Sequence, residues 1–340
     1  MRLLETGMVV LLILKLLSCS RRSQAVQAGF EPEWEKGALS LKFYAQTCPQ
    51  VESVVQSVFT QYVQQDITLM GSLLRMAYHD CFVQGCDASI LLDSTPTQQA
   101  EKWAPPNLGS VRGYEVYDAI KAALEQPSAC PGVVSCADII ALVARDSVKQ
   151  ASGIYWAIYL GRRDGMTSSA TLATSSIPGP TSTYSQLMSA FTAIGLSQHD
   201  LVTLSGAHTI GRTHCSNIMK RLYNFSGLGD TDPALNPAYA AQLKQQCSQG
   251  SPSATVPMDS TEFVFDNNYY DDLVNNKGLF NSDVQLLTQR FPASVVADYV
   301  TNGATSFFPD FQVSMQRMLV ANVLTGTEGE VRKNCRVVNS

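Results

Sequence analysis

The chain has 340 residues, of which 45% are hydrophobic and 16% are charged, and its formal net charge is −5. This length and composition predict a large, sparsely charged globule, built as one big domain or as two lobes. The negative charge argues against general nucleic-acid binding, because neutralising phosphates requires a basic face.

The first residues have the pattern of a secretory signal peptide. Arg2 precedes an apolar run over residues 8–17, interrupted only by Lys15, and this run is too short to cross a membrane. We therefore expect residues 1–28 to be removed on secretion, with cleavage near Ala28, and residues 29–38 to form an N-terminal extension. A retained N-terminal anchor is the alternative, because Lys15 and the basic pair at 21–22 are unusual in a signal peptide.

The cysteines support secretion. One of the nine, Cys19, lies in the leader, and the remaining eight predict four disulfides, since disulfides persist in oxidising compartments. No Cys-x-x-Cys pair occurs, so a zinc site is not indicated. The sequence Asn224-Phe225-Ser226 is an N-glycosylation sequon, which is usable only in the secretory pathway.

Apolar residues recur at helical spacing along most of the chain, whereas few segments alternate with the period of a strand. The pattern predicts helices over residues 51–63, 69–82, 134–148, 184–194, 200–208, 266–276, 293–299 and 311–324. Residues 134–148 are apolar nearly all round, so Asp138 among them should be a buried, hydrogen-bonded carboxylate. Stretches rich in Pro, Ser and Gly predict loops over residues 93–109, 167–183 and 248–257.

Arg75 and His79 share one face of the second predicted helix. At about 100° per residue they lie roughly 150° from the centre of its apolar stripe, so they face solvent or a polar-lined pocket. A histidine base and an arginine cation at this spacing meet the needs of peroxide heterolysis, although an exposed polar face is the simpler interpretation of the pair alone. His208 lies far along the chain, in residues 204–211 (LSGAHTIG). The two histidines together suggest an iron porphyrin held from both sides.

Five segments are similar to signatures of the plant secretory (class III) haem peroxidases. Residues 75–92 (RMAYHDCFVQGCDASILL) resemble the distal motif of that family, and residues 200–211 (DLVTLSGAHTIG) resemble its proximal motif. Residues 160–164, 221–225 and 265–270 also resemble family signatures. The resemblance extends over most of the chain and implies a haem peroxidase domain over residues 39–340. The implied fold is all-α, with a distal and a proximal helical lobe, haem b between them and little β structure.

The resemblance also implies roles for single residues. His208 is then the axial haem ligand, and Asp283 accepts the second ring hydrogen of that imidazole. Glu101 is the carboxylate that supports Asn107 through a hydrogen-bond chain. The residues alone leave other interpretations open, a helix cap for Asp283 and ordinary loop polar groups for Asn107 and Glu101. The implied catalytic residues are Arg75, His79 and Asn107.

The implied activity is reduction of hydrogen peroxide via a ferryl intermediate, followed by one-electron oxidation of phenolic donors. Pro178 resembles the residue whose carbonyl helps to hold an aromatic donor, and a loop-stiffening proline is the alternative. The implied protein is a secreted monomer without a membrane span in its mature form, located outside the cell, in the cell wall or in the vacuole. Its physiological donor does not follow from the sequence.

Two calcium sites and a disulfide pairing are implied as well. Mixed oxygen ligands suit calcium, which takes about six to eight of them. The distal ligands are Asp80, Asp87, Ser89 and the main-chain oxygens of Val83 and Gly85. The proximal ligands are Thr209, Asp259, Thr261, Asp266 and the main-chain oxygen of Val264. The implied disulfides are Cys48–Cys130, Cys81–Cys86, Cys136–Cys335 and Cys215–Cys247.

The sequence departs from the family pattern at two places that matter for the site. Tyr78 stands where the family usually has phenylalanine, and a phenol there can hydrogen-bond into the pocket, narrow access or itself be oxidised. Residues 258–262 (MDSTE) are one residue shorter than the usual spacing and have Glu262 in place of proline. This difference bears on the proximal calcium site, with Asp259 its least secure ligand.

Two other classes of protein compete with a peroxidase. A calcium-stabilised, disulfide-bonded wall protein would bind haem or polysaccharide with little turnover. Absence of a Soret band, or bound haem without guaiacol oxidation under peroxide, would favour it. A non-haem metalloprotein would need a third clustered ligand, for which four histidines offer no candidate trio. His199 and His214 have no counterpart role and are expected to be surface or locally bonded residues.

Overall fold

Helices account for most of the regular structure. The computed structural model describes residues 39–340, so the expected signal peptide (1–28) and extension (29–38) lie outside the described residues. Ser40–Ser340 form one compact unit. Its thirteen α-helices are α1 (Val51–Gln65), α2 (Leu69–Cys81), α3 (Tyr114–Leu124), α4 (Cys136–Ser152), α5 (Ala170–Ser176), α6 (Tyr184–Ala193), α7 (Gln198–Ser205), α8 (Met219–Tyr223), α9 (Pro237–Gln246), α10 (Asn268–Val274), α11 (Asn281–Gln285), α12 (Arg290–Asn302) and α13 (Ala304–Leu319).

One small sheet accompanies the helices. Strands β1 (Arg212–His214) and β2 (Thr255–Pro257) pair antiparallel, with Thr213 opposite Val256. The predicted fold class, mainly α-helical with little β structure, is therefore confirmed. Within residues 39–340, no helix combines the length and the apolar character that crossing a bilayer requires.

Helix ends and short helices are where the predictions fail. The helix predicted over residues 311–324 runs instead over Ala304–Leu319, because Pro309 removes one main-chain hydrogen bond without ending the helix. The predicted loop at 167–183 contains α5, and the predicted loop at 248–257 ends in β2. Helices α3, α8, α9 and α11 were not predicted. Of these, α9 carries a sequence signal, an Asn236 cap followed by Pro237.

Helix α4 is the centre of the core. Residues 136–148 of this helix are all buried, as the apolar pattern predicts, and α2 packs along it. Asp138 accepts hydrogen bonds from Tyr44 Oη (2.8 Å) and from Gly161 N (2.7 Å). Its Oδ1 also pairs with Arg162 Nη1 at 2.9 Å, and both side chains of this ion pair are fully buried. The prediction of a buried, hydrogen-bonded carboxylate is confirmed.

A close backbone contact joins α2 to the segment that carries His208. A Cβ atom on Gly71 would lie 2.9 Å from Cα of Gly211, so Gly71 leaves no room for a side chain. Gly211 has a φ of 95°, which favours glycine. His79 lies eight residues beyond Gly71, about 12 Å along the helix at a rise of about 1.5 Å per residue. The glycine contact therefore sets how far His79 stands from the segment of His208.

Four disulfides close the described chain on itself. One of them ties the first residue of α4 to the C-terminal segment, 199 residues away. Beside it, the buried Arg332 donates from Nη2 to the main-chain oxygens of Asp87 (3.2 Å) and Ala88 (2.8 Å). The end of the chain thus holds the loop that follows α2. The disulfides join the pairs that the resemblance implies, Cys48–Cys130, Cys81–Cys86, Cys136–Cys335 and Cys215–Cys247.

Removal of the Asp138 carboxylate should destabilise the fold strongly. The variant Asp138→Ala leaves the Arg162 charge buried without its carboxylate, and we expect a loss of about 3–5 kcal/mol in the free energy of unfolding. Asp93→Ala breaks a pair with Lys102 in which the carboxylate is half exposed, and it should cost about 1 kcal/mol or less. Denaturant unfolding with intact disulfides measures both. Equal losses in the two variants would contradict a special role for the buried pair.

Candidate functional site

His79 is held by a chain of hydrogen bonds that begins at the main chain of Glu101. Asn107 Nδ2 donates to the carbonyl oxygen of Glu101 (2.8 Å), which points the amide oxygen of Asn107 towards His79. That oxygen lies 2.5 Å from His79 Nδ1. Because an amide oxygen only accepts, the ring proton is on Nδ1 and Nε2 carries the lone pair. The direct contact is thus made by the main-chain carbonyl of Glu101, and support from its carboxylate through a longer hydrogen-bond chain stays a prediction.

Arg75 lies one helical turn before His79 and contacts its other ring nitrogen. Arg75 Nε donates to His79 Nε2 (2.9 Å), and Arg75 Nη2 donates to the carbonyl oxygen of Pro106 (2.8 Å). Arg75 has surface in contact with solvent, but its guanidinium is surrounded by protein atoms on most sides. The resulting loss of hydration lowers the pKa of Arg75 to about 10. Arg75 remains charged at neutral pH, so its guanidinium cation lies in direct contact with Nε2 of His79, the nitrogen that can act as a base.

The surroundings of His79 keep it neutral. The residue is 3% exposed, and burial lowers its pKa well below 6.5, helped by the nearby charge of Arg75 and opposed by the hydrogen bond of Asn107. Of the two alternatives from the helical pattern, a solvent face or a polar-lined pocket, this burial favours the pocket. A neutral imidazole with its lone pair beside a guanidinium can take a proton from a small bound molecule.

Tyr78 packs among aromatic rings next to His79. Its ring centroid lies 4.1 Å from that of Phe82, 5.7 Å from that of His79 and 6.3 Å from that of Phe191. Burial raises the pKa of its phenol, so the hydroxyl stays protonated. The ring of Tyr78 lies beside His79, where its bulk can narrow the access of small molecules to the imidazole.

Asp283 orients His208. The histidine lies in a 3-10 turn, Gly206–Thr209, that follows α7, and not in the α-helix predicted over residues 200–208. His208 Nδ1 lies 2.9 Å from Asp283 Oδ1, and the same oxygen accepts from Tyr269 Oη (3.0 Å). Asp283 Oδ2 accepts from Phe280 N (2.8 Å) at the start of α11. The carboxylate thus caps a helix and binds the imidazole, so the two interpretations of Asp283 are not exclusive.

The remaining ring nitrogen of His208 suits a metal. Because Nδ1 is committed to Asp283, Nε2 is the nitrogen left for a ligand. A carboxylate on the far nitrogen raises the basicity of an imidazole, as at histidines that bind metals. The rings of Phe280 and Tyr269 stand edge-on to the imidazole, with centroids 5.2 Å and 5.8 Å away. These residues fit an iron porphyrin bound through His208.

Arg221 supports this arrangement, and sequence reasoning gave it no role. Its Nη1 donates to the main-chain oxygens of Gly278 (2.5 Å) and Leu279 (2.8 Å), and its Nε pairs with Asp232 (2.7 Å). The buried guanidinium thereby fixes the turn that presents Asp283. The available signal was that Arg221 begins one of the segments similar to family signatures.

Buried carboxylates gather behind His79. Asp80 Oδ2 accepts from Ala88 N, and Asp87 Oδ1 accepts from Ser89 N, each at 3.0 Å. In residues 39–340, neither carboxylate oxygen of Glu101 nor the hydroxyl of Ser89 has a hydrogen-bond partner. Burial, followed by repulsion from the other carboxylates, raises the pKa of Asp80, and burial raises that of Glu101 to about 8. Such a cluster fits a cation, which would neutralise the charge and satisfy the orphaned oxygens.

The expected main-chain ligands lie in the turn between Asp80 and Asp87. The oxygen of Gly85 accepts from Asp87 N (2.9 Å), and Val83 N donates to the oxygen of Asp80 (3.2 Å). Gly85 has a φ of 117°, and a Cβ atom there would clash with the main chain of Asn322. The part of the chain that the structure describes holds no group of three His, Cys, Asp or Glu side chains poised for a metal. An ion here would need main-chain and hydroxyl oxygens too, which calcium accepts.

The residues expected at the proximal calcium site also meet. Thr209 Oγ1 donates to Asp259 Oδ2 (2.7 Å) and lies 3.1 Å from Asp266 Oδ1. Thr261 N donates to Asp259 Oδ1 (2.8 Å), and Val264 N donates to the oxygen of Thr261 (2.7 Å). Burial raises the pKa of Asp259 to about 6. The shortened loop therefore still brings Asp259, the least secure of the expected ligands, to the centre of the cluster.

The other predicted residues lie outside these clusters. Pro178 is half-buried in the loop after α5, and this loop docks on α11, since Ser282 N donates to the oxygen of Pro180 (3.1 Å). His199 and His214 are locally bonded, as expected, to a threonine hydroxyl (3.3 Å) and to a main-chain oxygen (3.2 Å).

Known proteins align with most of this chain. A family model described as Peroxidase matches residues 51–302. The chain is 45% identical to Peroxidase 54 of Arabidopsis thaliana over 304 residues, 88% of this chain and 84% of that protein. It is 46% identical to Peroxidase 15 of Ipomoea batatas over 305 residues, 88% of this chain and 93% of that protein. It is 45% identical to Peroxidase 1 of Oryza sativa subsp. japonica over 307 residues, again 88% and 93%.

These matches include the segments of both His79 and His208 and confirm the resemblance seen in the sequence. The peroxidase family works with haem, hydrogen peroxide and an electron donor, which agrees with the base, the cation and the metal-directed imidazole described above. The chain belongs to the peroxidase family, in its plant class III branch, and is a haem peroxidase that uses hydrogen peroxide to oxidise donors.

Proposed function

We propose that this chain is a secreted peroxidase that oxidises phenolic donors by one-electron steps, with His79, Arg75 and Asn107 as its catalytic residues. The observation that carries the proposal is the Asn107–His79 hydrogen bond, which leaves His79 Nε2 unprotonated beside Arg75. Haem bound through His208 would supply the iron that binds peroxide and stores its oxidising equivalents. Every proton transfer falls to the protein.

The proton acceptor in this proposal is His79. Its Nε2 takes the proton from the inner oxygen of hydrogen peroxide and delivers it to the outer oxygen, which leaves as water when the O–O bond breaks. Arg75 stabilises the negative charge on the departing oxygen. Peroxide must replace the hydrogen bond between Arg75 and His79, and the contact of Arg75 with the oxygen of Pro106 anchors the guanidinium meanwhile.

Donor, ions and location complete the proposal. Pro178 would hold an aromatic donor through its carbonyl, and its half-buried place in a docked loop supports this role. Two calcium ions would bind at the clusters of residues 80–89 and 209–266. The buried carboxylates of Asp80 and Asp87 and the unpartnered hydroxyl of Ser89 support the first site. The buried Asp259, which Thr209 joins to Asp266, supports the second. The leader at 1–28 and the four disulfides support secretion. Asn224 is exposed, as glycosylation requires, and the secreted protein would act as a monomer.

Loss of the His79 imidazole should slow the reaction with peroxide. Without a base, the proton of the inner oxygen has no acceptor at fixed distance, and we expect His79→Ala to slow the step by about 10²–10⁴-fold. Stopped-flow absorbance of the holoenzyme mixed with hydrogen peroxide measures this rate. His214→Ala, at a locally bonded histidine, is the matched control and should react at the wild-type rate. If His79→Ala reacts with peroxide at the wild-type rate, His79 is not the base of this step.

Loss of the Asn107 amide should have a smaller effect. Asn107→Leu keeps the size of the side chain but frees the tautomer of His79, and we expect the same rate to fall about 10–100-fold. Gln126→Leu, which removes an exposed amide, is the control. If both variants react equally fast with peroxide, the Asn107–His79 hydrogen bond does not control the tautomer in which His79 acts as the base.

Chelation should lower thermal stability. An ion that binds only the folded chain stabilises it by mass action, so EDTA should lower the unfolding midpoint and added calcium should restore it. Magnesium should not, because it demands a smaller octahedral site. Asp87→Asn should weaken the response, whereas Asp93→Asn at the surface should not. A midpoint that ignores EDTA would argue against bound calcium.

A further inference from the structure

A row of aromatic rings runs from His208 to the protein surface. The ring centroid of Tyr269 lies 5.8 Å from that of His208 and 5.1 Å from that of Tyr270. The centroid of Tyr299 lies 4.8 Å from that of Tyr270 and 6.4 Å from that of His199. The three tyrosines are at most 2% exposed, whereas the side chain of His199 is 34% exposed. Electron transfer along this row needs only short steps between neighbouring rings.

The hydroxyl partners decide which tyrosine can be oxidised. A phenol that loses an electron becomes a strong acid, and a charged group is costly to bury, so a base must take the proton. Tyr270 Oη donates to two main-chain oxygens (3.0 and 3.2 Å), which are not bases. Tyr269 Oη donates to Asp283, but the side chain of that carboxylate is only 2% exposed, so a proton taken there stays buried. Neither of these two phenols has a base that can pass its proton to solvent.

Tyr299 has a base that reaches solvent. Its Oη donates to Asp310 Oδ2 (2.9 Å) and contacts Thr203 Oγ1 (2.7 Å). Asp310 Oδ2 also lies 3.2 Å from His199 Nε2, and these two side chains are 33% and 34% exposed. A proton released to Asp310 can therefore pass through His199 to water. Burial raises the pKa of the Tyr299 phenol, so the hydroxyl carries its proton at rest.

We propose that Tyr299 is a second oxidation site of this enzyme, from which an electron passes through Tyr270 and Tyr269 to the oxidised active site. The step breaks the O–H bond of Tyr299. The electron reduces the active site by one equivalent, and the proton goes to Asp310. An external one-electron donor at the surface formed by His199 and Asp310 then returns the electron, and Tyr299 recovers its proton. The reaction with hydrogen peroxide supplies the oxidant, so this inference rests on the proposed function.

The donors that suit this site are phenols too bulky to reach His79. Tyr299 is fully buried, so a donor touches only the edges of His199 and Asp310, and an electron is all that has to cross. The partly exposed carboxylate of Asp310 disfavours anionic donors at this position, which leaves neutral phenolic polymers as the donors that fit.

A freeze-quench experiment on the holoenzyme tests the site. The enzyme is mixed with one equivalent of hydrogen peroxide without donor, frozen and examined by electron paramagnetic resonance. We expect a tyrosyl radical signal in the wild type and its loss in Tyr299→Phe, which keeps the ring but lacks the hydroxyl. Asp310→Asn keeps the packing but removes the proton acceptor, and it should lose the signal as well. Tyr155→Phe alters an exposed tyrosine outside the row and should keep it.

Each outcome separates this inference from the proposed function. The Soret spectrum and the oxidation rate of a small phenol should match the wild type in Tyr299→Phe, while oxidation of a phenolic polymer is lost. An unchanged radical signal in Tyr299→Phe or in Asp310→Asn overturns the second site and leaves the peroxidase activity standing. If the wild type reacts with peroxide but gives no tyrosyl signal, the second site is likewise overturned and the peroxidase activity stands. A wild type that does not react with peroxide overturns both proposals.

Discussion

The chemistry proposed for the imidazoles of His79 and His208 depends on the groups that their Nδ1 atoms are bonded to. A neutral amide oxygen, that of Asn107, faces His79, and an anionic carboxylate, that of Asp283, faces His208. The first partner fixes a tautomer without adding charge, so the ring stays a neutral base; the second makes its ring a stronger donor to a metal. The main-chain oxygen of Glu101 orients Asn107, and the guanidinium of Arg221 holds the turn that carries Asp283.

Each functional histidine is followed immediately by a residue of an acidic cluster. Asp80 comes after His79, and Thr209, bonded to Asp259, comes after His208. A change in the charge of either cluster therefore acts on backbone that belongs to the neighbouring imidazole. Buried carboxylates are by themselves a burden on stability. With the proposed cations bound, they would become rigid supports for the two histidines.

The sequence predicted the identity of the site better than its geometry. Helical spacing placed Arg75 and His79 on one face, and motif resemblance pointed to His208 and Asp283. The contact of Asn107 with a main-chain carbonyl could not be predicted, because the direction of that carbonyl depends on how an irregular loop folds. The 3-10 turn at His208 could not be predicted either, because it depends on tertiary packing. A side chain at Gly206 would clash with the ring of Phe307. Short helices such as α8 offered too few residues for a period to appear.

The bond between Cys136 and Cys335 has a consequence for biosynthesis. The two thiols are 199 residues apart, so at about 5–20 residues per second the first waits roughly 10–40 s for the second to be translated. Arg332, which secures the oxygens of Asp87 and Ala88, arrives equally late. The N-terminal half therefore leaves the ribosome with an unfinished loop and an unpaired thiol. Both are completed only after residues 332–335 have been translated.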